Sequence, residues 1–89
     1  MSSLHIIHTR QALEGCQALL SAEDAILLIH DAVLRICFNA DLPPHRLLAL
    51  RDDLQARGLM HKSGGRIEIV GFDEFVNLCC EYDKTVSWF

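Results

Sequence analysis

The chain is most informative first through what it does not contain. No G-x-G-x-x-G and no G-x-x-x-x-G-K-[ST] occurs, and no glycine-rich turn follows the first apolar segment, so the backbone cradle that holds a nucleotide phosphate is missing and no nucleotide cofactor is expected. No C-x-x-C is present, which excludes a zinc knuckle and a thioredoxin-type dithiol. The five histidines show no H-x-x-x-H spacing and do not by themselves make a metal site. Basic residues are few, 8 Lys+Arg against 12 Asp+Glu for a net charge of −4. With no basic cluster to neutralise phosphates, direct nucleic-acid binding is not expected. No window approaches the roughly 18 apolar residues of a membrane span. The opening Met1 to His8 lacks both a charged segment and a long apolar run, so a cytoplasmic protein is expected.

Apolar residues, by contrast, are abundant. They make up 51% of the 89 residues, with a mean hydropathy of +0.20. A chain of this length builds one core, so residues 1–89 read as a single domain, and it buries only roughly 60–65% of its unfolded surface. The apolar surplus therefore implies a partner surface. In a reducing cytoplasm the four cysteines, Cys16, Cys37, Cys79 and Cys80, stay free. Cys79 and Cys80 are neighbours that point about 100° apart on a helix.

Apolar patterning predicts strand and helix in alternation. Leu4 to Thr9 reads as a strand, with Thr9 placed to cap a helix over Arg10 to Leu20 whose apolar positions are Leu13, Cys16, Leu19 and Leu20. Ser21 to Asp24 is a polar turn. Ala25 to Ile29 is uninterruptedly apolar, as expected of an inner parallel strand. Asp31 reads as an N-cap for a short helix over about Ala32 to Phe38, and Asn39 to His45, carrying Pro43 and Pro44, as a loop. A third strand over Arg46 to Leu50 leads to a helix over Arg51 to Arg57, with Gly58 as its left-handed stop. His61 to Gly65 is a loop, Arg66 to Val70 a strand, and Gly71 to about Tyr82 a helix. The tail Thr85-Val86-Ser87-Trp88-Phe89 is β-prone, and its two terminal rings need a place to dock. The expected fold is α/β, a small, mostly parallel sheet of about four to five strands with helices on both faces.

Three chemical readings follow. His8-Thr9, His30-Asp31 and Arg51-Asp52 fall at the carboxyl edge of the strands, where open parallel sheets bind ligands; His8, His30 and Asp31 there could orient a proton or a metal, or else simply cap helices at a wet rim. Cys16 is the candidate nucleophile or sulfur carrier, but it sits about two turns into its helix on the apolar stripe, beyond the reach of the helix dipole, and reads physically as a buried structural cysteine. Cys37 and Cys79 read the same way, and Cys80, followed by acids, reads as an interface residue.

The landmarks resemble one family. Leu4-His5, the apolar strand into His30-Asp31-Ala32-Val33, the run Ala49 to Leu59, Phe72 to Leu78 and the ending Val86-Ser87-Trp88-Phe89 together are similar to the TusB/DsrH family of sulfur-relay subunits. Ala32 stands where the family usually has Gly. The resemblance covers nearly the whole chain and implies the DsrEFH-like fold. It also implies a cytoplasmic heterohexamer with TusC/DsrF-like and TusD/DsrE-like subunits, served by TusE-like and TusA-like carriers. Such a complex passes persulfide sulfur for 2-thiolation of the tRNA wobble uridine. In the family the main persulfide cysteine belongs to the TusD/DsrE-like subunit, which makes this chain an accessory. The alternative is a DsrH-like subunit in dissimilatory sulfur oxidation with Cys16 as sulfur acceptor, because Cys16 aligns with a cysteine of DsrH-like members.

Overall fold

The computed structural model describes residues 2–37, 42–60 and 66–89, with the side chain of Cys37 outside that description. Five strands form one sheet: β1 (Ser3–Ile7), β2 (Ala25–Leu28), β3 (Arg46–Leu50), β4 (Ile67–Val70) and β5 (Lys84–Trp88). Their order is β4-β3-β2-β1-β5, and every neighbouring pair is parallel. The chain thus steps outward from β1 to β4, then crosses back to lay β5 on the far side of β1. The α/β architecture expected from the alternating pattern is present.

Helices cover both faces. On one, α1 (Ala12–Gln17), a 3₁₀ helix (His30–Cys37) and α2 (Arg51–Ala56) bury Leu13, Cys16, Val33, Ile36 and Leu54 against Ile7, Ile26, Leu28 and Leu47. On the other, α3 (Phe72–Glu81) lays Leu78 and the half-buried Phe75 and Cys79 over Leu4, Ile6, Leu27 and Leu48. All five residues from Ala25 to Ile29 are buried, the property that makes a central parallel strand read as one unbroken apolar run.

Helix ends follow local chemistry in part. Thr9 Oγ1 accepts the Ala12 N–H at 3.3 Å and so closes the turn leading into α1, whose N-cap is Gln11, without a side-chain cap bond, rather than the expected Thr9. Glu74 Oε1 accepts the Gly71 N–H at 3.2 Å, half of a capping box at the start of α3. After α2, Gly58 adopts φ 65° and Leu59 N–H reaches Leu54 O at 2.8 Å, the closing bond of a Schellman stop.

Three expectations need correction. The second helix is 3₁₀ over His30–Cys37 rather than α; β-branched Val33 and Ile36, three apart, share one buried face, a spacing that i to i+3 geometry aligns. Asp31 does not cap it. The backbone at His30 is already left-handed, φ 49°, and the Ala32 N–H goes to Ile29 O at 3.0 Å. Asp31 Oδ2 instead accepts from Arg10, backbone N at 3.3 Å and Nε at 3.2 Å. The carboxylate at the start of the 3₁₀ helix comes from α2, where Asp53 Oδ2 accepts the His30 N–H at 2.8 Å. Leu19, expected on the apolar stripe of the first helix, lies past the end of α1 and is exposed. The β-prone tail finds its dock within the chain: β5 pairs with β1 from Ser3↔Lys84 to Ile7↔Trp88. Part of the first loop and all of the second, residues 39–41 and 61–65, lie outside the described residues.

Leu27 is fully buried at the centre of the sheet. Leu27→Ala is expected to cost about 3 kcal/mol of unfolding free energy by denaturant titration; a cost near zero would place the residue outside a packed core.

Candidate functional site

The densest polar arrangement described lies at the amino end of the sheet, under β5. The turn before β2 starts it: Asp24 N–H donates to Ser21 O at 3.0 Å, while Ser21 N–H donates to Asp24 Oδ2 at 3.1 Å. This folds the Asp24 carboxylate back over β1, where Oδ1 accepts the Ser3 N–H at 2.9 Å. His5 Nε2 lies 2.9 Å from Oδ2, and Trp88 Nε1 donates to His5 Nδ1 at 3.0 Å. Asp24 and His5 are 5% and 4% exposed.

Desolvation pushes the Asp24 carboxyl up, but the bonds from His5, Ser21 and Ser3 together outweigh it and hold the group down at about 2. A cavity of about 260 Å³ opens beside this chain of side chains, lined by Ser3, His5, Leu19, Asp24, Lys84 and Trp88 among others. Gly15 of α1 faces the Trp88 ring, and a Cβ there would lie 3.8 Å from Cζ3, so helix and indole pack closely.

Cys16 faces the core of the same layer with no exposed surface. Burial first, and the Asp24 charge second, push its thiol up to about 11, so at neutral pH only roughly one molecule in ten thousand carries the thiolate. Cys79 is half-buried and its thiol is raised by burial and by neighbouring Cys80, which is exposed.

At the carboxyl edge the structure brings some of the expected residues together. The His8 and His30 rings are 5.6 Å apart, and Phe89 stacks on His8 at 4.2 Å. Burial, then the nearby His30, lowers the His8 pKa. His30 is partnered by Asp53, Nδ1 to Oδ1 3.7 Å, while Asp31 turns away to Arg10. Arg51 pairs with Glu74 at 3.7 Å rather than joining that edge cluster. Among the described residues no group of three or more His, Cys, Asp or Glu is placed to hold a metal ion. A separate bidentate pair, Arg46 to Glu68 at 2.7 and 2.9 Å with Tyr82 Oη at 3.2 Å, ties β3 and β4 to the end of α3.

His5, Asp24 and Trp88 are not legible as a group in the sequence, because separations of 19 and 83 residues leave no local pattern. The one hint is Ser21-x-x-Asp24, a turn signature placed directly before a buried strand.

Comparison with known proteins decides the family. The family model described as "DsrH like protein" matches residues 8–85. The chain belongs to the DsrH-like family. Members similar to it include Protein TusB of Serratia proteamaculans (strain 568), 35% identical over 89 residues and covering 90% of each chain. Protein TusB of Enterobacter sp. (strain 638) is 34% identical over 82 residues, 85% of this chain and 86% of its own length. Protein TusB of Erwinia tasmaniensis is 30% identical over 95 residues, 96% of this chain and 99% of its own. The family match begins at His8 and ends at Thr85, so it takes in Asp24 but neither His5 nor Trp88.

The depressed Asp24 pKa fixes the direction of a pH effect. A carboxyl at about 2 in the folded state, against about 4 unfolded, contributes stability that is complete above about pH 4 and lost as pH falls through 2. Asp24→Asn is expected to cost about 2 kcal/mol near neutral pH, with the difference from the natural protein shrinking on acidification, as read from denaturant titrations at several pH values. A pH-independent difference would contradict the assignment.

Proposed function

We propose that this chain is an accessory subunit of a TusBCD-type sulfur-relay complex, which passes persulfide sulfur for 2-thiolation of the tRNA wobble uridine. Its partners are TusC/DsrF-like and TusD/DsrE-like subunits in a cytoplasmic heterohexamer, fed and drained by TusE-like and TusA-like carriers. Family membership over residues 8–85, and relatives that carry the name TusB, support the sulfur-relay reading. No helix among the described residues is long and apolar enough to cross a membrane. The net charge of −4 favours leaving tRNA contact to other components.

The observation that carries the accessory role is the state of Cys16. A persulfide carrier has to present a thiolate to a donor thiol, and Cys16 is buried with its pKa raised rather than lowered. The same observation weighs against the sulfur-oxidation reading in which Cys16 accepts sulfur. Exposed apolar side chains supply surface for neighbours: Phe72 and Val76, one turn apart on α3, and Phe89 at 83% exposure.

Co-expression with TusC-like and TusD-like chains followed by size-exclusion chromatography is expected to give one co-eluting complex. Mass spectrometry after loading that complex with a persulfide donor is expected to find the added sulfur atom on the TusD-like chain and none on Cys16. Failure to associate would contradict the subunit role, and sulfur on Cys16 would contradict the accessory one.

A further inference from the structure

Trp88 is the chain's single tryptophan, and an indole N–H can only donate. Its bond to His5 Nδ1 at 3.0 Å therefore requires that nitrogen to be unprotonated. Asp24, ionised well above its pKa of about 2, can only accept, so the proton of the ring sits on Nε2, 2.9 Å from Oδ2. Donation runs one way along the three side chains, from Trp88 to His5 to Asp24. His5 is thereby held as the neutral Nε2–H tautomer.

A second proton on this ring has one place to go. It enters at Nδ1, leaves the Nε2–H bond to Asp24 intact as an ion pair, and turns the acceptor of the Trp88 N–H into a donor facing a donor. Among the groups around His5, Asp24 in the turn before β2 favours the cation, and Lys84 of β5, lining the same cavity, opposes it. Cys16 of α1, close enough to feel the Asp24 charge, has its thiol raised to about 11 and stays neutral. His5 therefore keeps its anchor on Asp24 in either state, and the change falls on the Trp88 side.

That side is the one with least to hold it. β5 is an edge strand, paired only with β1. Its other ties include Ser2 N–H to Asp83 Oδ2 at 2.8 Å, just before its start, His8 N–H to Trp88 O at 3.0 Å with Phe89 stacked on the His8 ring at its end, and the packing of the half-buried Trp88 ring against Gly15 of α1 and the core. Protonation of His8 leaves the stack in place as a cation–π contact and adds repulsion from His30. Each of the two terminal rings thus rests on a histidine, but only the Trp88 contact needs its histidine neutral.

We propose that β5 is a proton-sensitive clasp: neutral His5 holds Trp88, and with it the C-terminal strand, against β1, and protonation of His5 at Nδ1 releases Trp88 and loosens β5 from the sheet. Release opens the cavity beneath the strand and uncovers the outer edge of β1, a row of backbone donors and acceptors ready to pair with another strand. The clasp does not depend on the sulfur-relay reading, since it rests on three side chains of this chain alone.

Hydrogen exchange on the full chain tests it, with rates at about pH 7.5 and about pH 5.5 corrected for intrinsic chemistry and compared with those of β2. The Trp88 indole N–H and the β5 amides are expected to lose roughly tenfold in protection at the lower pH, while β2 keeps its own. His5→Gln, whose amide offers one acceptor and one donor that do not titrate, is expected to abolish that pH dependence. Trp88→Phe, which removes the donor, is expected to show loosened β5 amides at both pH values. Equal β5 protection at the two pH values in the natural chain overturns the proposal, as does the same loss in His5→Gln. Should His5→Gln not fold, a pH-dependent loss that persists in Trp88→Phe overturns it as well.

Discussion

The Asp24 carboxylate sits almost out of solvent between the turn that precedes β2 and the first residues of β1, and a charge in that position is tolerable only with its lone pairs filled. Ser3 and Ser21 supply two backbone N–H groups and His5 a third donor. Removing any one leaves part of a buried anion unpaired, so the turn and β1, which supply them, are held in one relative position. The Ser3 and His5 contacts both come from β1, which sets the start of that strand beside the start of β2, in the register Leu4↔Ala25. Through His5 the same carboxylate reaches Trp88, at the far end of the sequence.

This arrangement gives a small sheet an unusual order of dependence. The apolar layers, Leu13, Cys16 and Ile36 on one face and Leu48 and Leu78 on the other, supply the bulk of the burial energy but specify little about the edge. β5, with Lys84, Thr85 and Ser87 exposed, has only Val86 and Trp88 to bury, and both do so halfway. Its position on β1 is specified by polar geometry more than by apolar area. In a chain with 51% apolar residues, α3 leaves Phe72 and Val76 exposed, and the edge strand buries little of its own.

Local patterning is enough for the interior. The unbroken run Ala25 to Ile29, the strand Arg46–Leu50 and the glycine stop at Gly58 each carry their reason within a few residues, and each appears in the structure. The helical spacing of Phe72, Phe75, Val76 and Cys79 marks α3 correctly, although Phe72 and Val76 stay exposed and Leu78 is the residue it buries. The cap at the 3₁₀ helix shows where this ends. Asp31 has the right residue type in the right place, yet Asp53, 23 residues from His30, takes the His30 N–H. The carboxylate nearest in sequence is taken by Arg10, which arrives from the end of β1. The burial of Cys16 is legible from its stripe position, whereas the charge that helps to raise its pKa comes from Asp24, eight residues on and visible only once the turn is folded. The Trp88-Phe89 tail can be read as needing a dock, but its seat on His5 and His8 is set by the return of the chain across four strands, a long-range pairing that no periodicity encodes.

The central claim is that Asp24 and Trp88, which do not bond to each other, act as one unit through the tautomer of His5. A double-mutant cycle on unfolding free energy measures this directly, using Asp24→Asn, Trp88→Phe and the double variant at neutral pH. When the side-chain amide that Asp24→Asn introduces turns its N–H toward His5, Nε2 becomes an acceptor and the proton moves to Nδ1, so the Trp88 bond is already lost in that single variant. The account predicts a coupling of about 1 kcal/mol between the two positions. Additivity to within about 0.3 kcal/mol would contradict it.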